Sequence, residues 1–171
     1  MKKTIFILAV LVFQVSCVDQ KVQEAPKEIP MATEFKPAEG VRKLMGQKLY
    51  VPIYSSIYSQ FEENLLHLTA ILSLRNTSFK EKITILNVDY YDTNGKLIKR
   101  YIDKPFTLGV LSTKDFVIAE NDLQGGTGAN FIVEWSSDKK VSTPLVESVM
   151  MGISGTKGFS FSSRSKEIEA H

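Results

Sequence analysis

The chain has 171 residues, 43% of them hydrophobic, and a formal net charge of +2. That length and apolar share suit one domain with a sizeable core and exclude wholesale disorder. Lys2 and Lys3 carry the charge excess; without them acids and bases balance, which leaves nucleic acid no electrostatic hold.

Residues 1–16 open with Lys2 and Lys3, followed by an apolar run from Thr4 to Phe13. A short apolar core behind a positive start is the shape of a secretory signal, and it is about half the roughly 20 residues a spanning helix needs. Val15-Ser16-Cys17 closes it. Here the segment resembles a bacterial lipoprotein signal, although Gln14 stands where that signal usually has an aliphatic residue. The resemblance implies that Cys17 becomes the acylated first residue of the mature chain and holds it to a membrane. Cys17 is the lone cysteine, so no intramolecular disulfide forms. Residues 17–46 are rich in proline and mixed charge, with little periodicity, and read as a flexible tether. As a coil such a stretch spans roughly 30 Å, enough to lift a domain clear of lipid headgroups.

Residues 47–163 read as the domain. Leu49–Tyr54 is the first strand, and Pro52 points to an edge or a bulge. In Leu65–Arg75 the apolar residues Leu66, Leu68, Ala70, Leu72 and Leu74 fall at every second position, so one face is buried. Ile83–Tyr91 repeats the pattern with Leu86, Val88 and Tyr90, and Lys96–Ile102 follows. Asn94-Gly95 between them predicts a two-residue type I′ hairpin turn, and the three strands are expected side by side. Thr93 is then a strand-end residue of small consequence. Phe106–Leu108, Asp115–Ala119, Asn130–Ser136, Val146–Ile153 and Phe159–Phe161 supply further strands. Phe131, Val133 and Trp135 share one face, which makes Trp135 the main core anchor. Residues 164–171 read as a loose charged tail, with KEIEA suited to a single helical turn. The fold class is therefore all-β: two antiparallel sheets in a sandwich, immunoglobulin-like or related, with a closed barrel as the alternative.

Several separate motifs carry a family resemblance: Tyr50 to Ser55, Leu68 to Thr77, Val88 to Asp92, Gly128 to Trp135, and Phe159 to Arg164. On them the chain resembles an uncharacterised bacterial family, domain of unknown function family 3124. The resemblance implies a secreted or lipid-anchored protein and carries no catalytic residues.

No cofactor or metal is expected. Asp89, Asp92, Asn94 and Gly95 suggest calcium, but the twelfth position from Asp92 is Asp103, not the Glu that such a loop needs. Gly125-Gly126-Thr127-Gly128 leads into a strand rather than a helix, so positive φ or close approach explains it better than phosphate binding. His67, Ser73 and Asp89 would make a triad only if brought within hydrogen-bond reach. Tyr50, Tyr54 and Tyr58 are the candidate binding surface, since exposed tyrosines stack on sugars or anchor proteins. Together these features describe a lipid-anchored, non-enzymatic binding or structural module of the bacterial envelope, with a protein or glycan partner and either membrane as its address. The alternative is an envelope enzyme, or accessory to one, acting on a polysaccharide or peptide. It would pair Glu62 or Glu63 with Glu120 or Asp122 across a cleft.

Overall fold

The computed structural model describes residues 44–59 and 64–170. The signal segment, Cys17 and nearly all of the tether lie outside them. Twelve strands follow one another among the described residues: β1 (Met45–Pro52), β2 (Ser56–Tyr58), β3 (Leu65–His67), β4 (Thr69–Arg75), β5 (Ile83–Tyr91), β6 (Leu97–Arg100), β7 (Phe106–Leu108), β8 (Thr113–Ile118), β9 (Asn130–Ser137), β10 (Leu145–Ser154), β11 (Lys157–Arg164) and β12 (Lys166–Ala170). A six-stranded sheet runs β12-β1-β9-β5-β6, with β7 also beside β5. A four-stranded sheet runs β11-β10-β4-β8, and β2 and β3 form a small ribbon. All the pairings are antiparallel.

The inward faces of the two sheets form one core. Leu49, Val51, Ile85, Val88, Phe131 and Val133 come from the larger sheet, and Ala70, Leu72, Leu74, Phe116, Val146 and Met150 from the smaller. The domain is thus an all-β sandwich, as the alternation requires. Trp135 is fully buried, and its indole N–H donates to Gln47 Oε1 at 3.2 Å. The Ser148 hydroxyl donates to the Pro52 carbonyl at 2.5 Å, linking the sheets by a hydrogen bond at one rim.

Four expectations change. First, β4 and β5 are not neighbours but lie in opposite sheets. Asn76 sits at the crossing: its buried side chain ties the β4–β5 link to the turn before β8. Second, β5 changes phase. Ile83 and Ile85 are buried, and so are Val88 and Tyr90, because the register with β9 slips between Ile85 and Asn87. The bulge lets two out-of-phase apolar pairs face one core and leaves Leu86 half-buried.

Third, the β5–β6 turn is not type I′. Gly95 N donates to Asp92 O at 3.0 Å, and Asp92 N to Lys96 O at 2.9 Å. Gly95 has φ +77°, whereas Asn94 is not in the positive-φ region. This is a three-residue loop, a type I turn followed by a left-handed glycine. The Asp92 carboxylate favours it by accepting from Asn94 N and Lys96 N, both at 2.8 Å.

Fourth, residues 164–170 are not a tail. Arg164 ends β11, and Lys166–Ala170 is β12, paired with β1 through a bulge between Lys48 and Leu49. Gln47 bonds to Glu167, and Lys48 Nζ reaches Glu169 at 2.6 Å. The β1 strand is therefore interior, and Pro52 lies past its last pair with β12, where no partner needs the missing N–H.

Registers define two ends. At the entry end Leu44 N donates to Ser137 O, where β9 finishes. At the far end lie the β2–β3 ribbon, the Asp92–Lys96 turn and the β10–β11 tip at Gly155.

Candidate binding surface

Because Leu49 and Val51 point inward, Lys48, Tyr50 and Pro52 point out of the six-stranded sheet. The registers set two outward rows. One runs Lys166, Tyr50, Ile132, Asp89, Arg100; the next runs Pro52, Asn130, Tyr91, Leu97. Tyr50 and Tyr91 thus lie two strands and two residues apart, about 12 Å on ordinary sheet spacings. Both are half-buried. Polar side chains surround them. Asp89 accepts from Asn87 Nδ2 at 2.6 Å and lies 3.8 Å from Arg100 Nε. The bond to Glu169 raises the Lys48 ammonium above its ordinary value.

The other two tyrosines are elsewhere. Tyr54 packs at the core margin, its ring 6.0 Å from that of Phe161. Tyr58 is 60% exposed on the ribbon, opposite Leu65. The three therefore form no single patch; Tyr91 is the partner that the register gives Tyr50. Sequence reading missed it because β1 and β5 are brought side by side only through β9, which no local pattern names.

The glycine-rich loop supports the far end. An ideal Cβ on Gly125 would lie 1.9 Å from the Tyr90 hydroxyl, so only glycine allows this approach. Gly126 has φ +75°, and its carbonyl accepts from Ser55 N and Ser56 N. Burial pushes the Tyr90 hydroxyl up to about 12, with Asp122 adding to the rise. The same two causes, burial first, raise Tyr101. Thr93 joins loop and hairpin: its hydroxyl donates to Gly125 O and accepts from Gly128 N, both at 2.9 Å. Thr93→Val therefore removes two hydrogen bonds between loops and should cost about 1–3 kcal/mol. Urea denaturation checks this, and a change within error would show that the bonds do not contribute.

The imagined catalytic groups are apart. Ser73 lies in the four-stranded sheet and Asp89 in the six-stranded one. His67 Nδ1 is instead 3.1 Å from the hydroxyl of buried Ser56, its cross-strand partner. The Asp92 carboxylate holds its turn. Glu62 and Glu63 lie outside the described residues; Glu120 is exposed, and Asp122 accepts from Gln124 N.

A family model described as "Protein of unknown function (DUF3124)" matches residues 46–168. The chain belongs to this family. The DUF3124 match spans both sheets and reaches into β12, so the C-terminal strand is part of the family domain. A search of curated proteins finds no match. Among solved structures, one titled "Crystal Structure of Thermotoga maritima 1070" aligns over 70% of this chain and 92% of its own, at 8% identity and a TM-score of 0.43. A score that low adds nothing to the fold assignment of this DUF3124 domain.

Proposed function

We propose that this DUF3124 domain is a lipid-anchored, non-enzymatic binding module of the bacterial envelope, and that it holds an envelope glycan on the outer face of its six-stranded sheet. The observation that carries the reading is the placing of Tyr50 and Tyr91 on one sheet face, interleaved with Asn87, Asn130 and Arg100. Rings alternating with hydrogen-bonding groups suit a sugar, which presents apolar ring faces and hydroxyl edges together. A protein partner would call for a larger contiguous apolar centre.

Purified wall material tests it. The wild-type domain should sediment with the material, and the Tyr50→Ala/Tyr91→Ala double variant should stay in solution while keeping its thermal midpoint within a few degrees. Tyr58→Ala, on the separate ribbon, should bind as wild type. Equal sedimentation of the double variant contradicts the reading.

The anchor is tested separately. Cys17→Ser should abolish membrane retention in cells and leave the domain folded, because Ser16-Cys17 closes the apolar segment. Two or more acyl chains on one residue bind far more firmly than a single chain, at about 0.8 kcal/mol per buried methylene. Labelling with a palmitate analogue decides it; wild-type protein that takes up no label contradicts the anchor.

A further inference from the structure

The entry end carries an unusual group of side chains. Phe79 is 80% exposed, Leu44 66%, Leu111 55% and Val110 42%. These four stand on three separate segments that hydrogen bonds draw together. Leu111 N donates to Ser78 O, and Asn76 Nδ2 donates to Gly109 O at 2.8 Å, which joins the Phe79 loop to the Val110-Leu111 turn. Lys139 Nζ meets Glu81 at 2.9 Å, and Thr77 Oγ1 donates to Thr143 O at 2.9 Å, which joins the same loop to the β9–β10 connection. That connection leaves Ser137, whose carbonyl receives Leu44 N.

Two further features set this end apart. Leu111 is the non-glycine residue with positive φ among the described residues, at +52°. A leucine held in the left-handed region is strained, and here the strained turn displays an apolar side chain to solvent. Around these apolar tips are exposed Lys80, Lys82, Lys139 and Lys140. The acids present are Glu81, which pairs with Lys139, and Asp138. Glu169, near the end of β12, is bonded to Lys48. The balance at this end is basic.

We infer that the entry end is a membrane-contact surface, in which Phe79, Val110 and Leu111 enter the headgroup boundary of an anionic bilayer and the lysines meet its phosphates. Apolar tips ringed by lysine match the two layers of such an interface, and each Lys near an anionic surface adds attraction. The place where the chain enters the domain agrees: Leu44 stands at this end, so a tether fixed to a membrane at Cys17 delivers this end to it first. The tether holds the end at a high effective concentration over the surface, so a weak contact suffices. This inference rests on the envelope placement and the Cys17 anchor proposed above, and its test supplies that anchor chemically.

The test couples chemistry to a spectroscopic reporter. The chain from Cys17 onward keeps every described residue and has one thiol. That thiol can be joined to maleimide headgroups in vesicles, which replaces any acylation by the cell. Phe79→Trp places an indole at the tip, while Trp135, fully buried, gives a constant background. On vesicles containing phosphatidylglycerol the introduced indole should shift to the blue and be quenched by brominated lipid. The shift should be lost when Lys80, Lys82, Lys139 and Lys140 are replaced by Glu, or when salt is raised. No shift on these vesicles, an equal shift on purely zwitterionic ones, or a shift only after soluble envelope protein is added would each overturn the inference. Failure here leaves the Cys17 reading untouched, since palmitate labelling judges that alone.

Discussion

Trp135→Ala unfolds the domain or leaves it marginal. The ring is fully buried on the inward face of β9, the face that Val133 shares, opposite Gln47 on β1 and Ile85 on β5. Truncating a buried Trp typically costs about 3–5 kcal/mol, through lost transfer energy and an unfilled cavity. The total stability of a domain is usually about 5–15 kcal/mol, so the variant keeps little in reserve. The truncation also removes the part-buried indole bond to Gln47. Thermal melting measures the loss. In the wild type, native emission should be blue and poorly quenched by acrylamide. A red, readily quenched native emission, or a Trp135→Ala variant that melts with the wild type, would place the ring in water and break the β9 facing.

Asn76→Ala should cost roughly 3 kcal/mol, large for a residue with no apolar side chain. The side chain is 2% exposed, and its amide donates to Glu81 O at 2.9 Å and Gly109 O at 2.8 Å while its oxygen accepts from Ser78 N at 2.9 Å. Removing it leaves buried Ser78 N and the part-buried Glu81 and Gly109 carbonyls without this partner. Asn76→Asp should be nearly as damaging although its size is unchanged, because a carboxylate cannot donate to the two carbonyls. Hydrogen exchange should quicken in residues 77–82 and 109–112 and stay unchanged at the β10–β11 tip. Uniform acceleration over the whole domain, or none, would show that Asn76 does not hold these loops specifically.

The residues show why some of this was legible in the sequence and some was not. Leu68, Ala70, Leu72 and Leu74 face a core on one side only, so the period of two is printed in the chain. Phe131, Val133 and Trp135 are equally plain. The β12 strand was hidden because all five of its residues are exposed, Ile168 among them. A strand that buries none of its side chains leaves no apolar alternation. Gly46 reads as the end of a linker, yet it lies inside β1 where an ideal Cβ would meet the Trp135 carbonyl at 2.4 Å. Only the partner strand makes that requirement visible. The turn type was misread for a similar reason. Asn94-Gly95 alone favours type I′, but Asp92 caps the backbone and Thr93 is bound to the glycine-rich loop. Both act across distances that a dipeptide rule does not include. The binding tyrosines failed in part because pairs on a sheet face are set by register, and Tyr50 meets Tyr91 only through β9.

The central claim is that the outer face of the six-stranded sheet holds a glycan in the living envelope. A photoreactive amino acid at position 132, between Tyr50 and Asp89 in register, addresses it directly. Irradiated cells should yield an adduct whose added mass is sugar and which disappears when Tyr50 and Tyr91 are both alanine. The same reagent at Val117, exposed on the opposite sheet, should give none. An adduct at Val117 alone, or one at position 132 that consists of protein, would contradict the account.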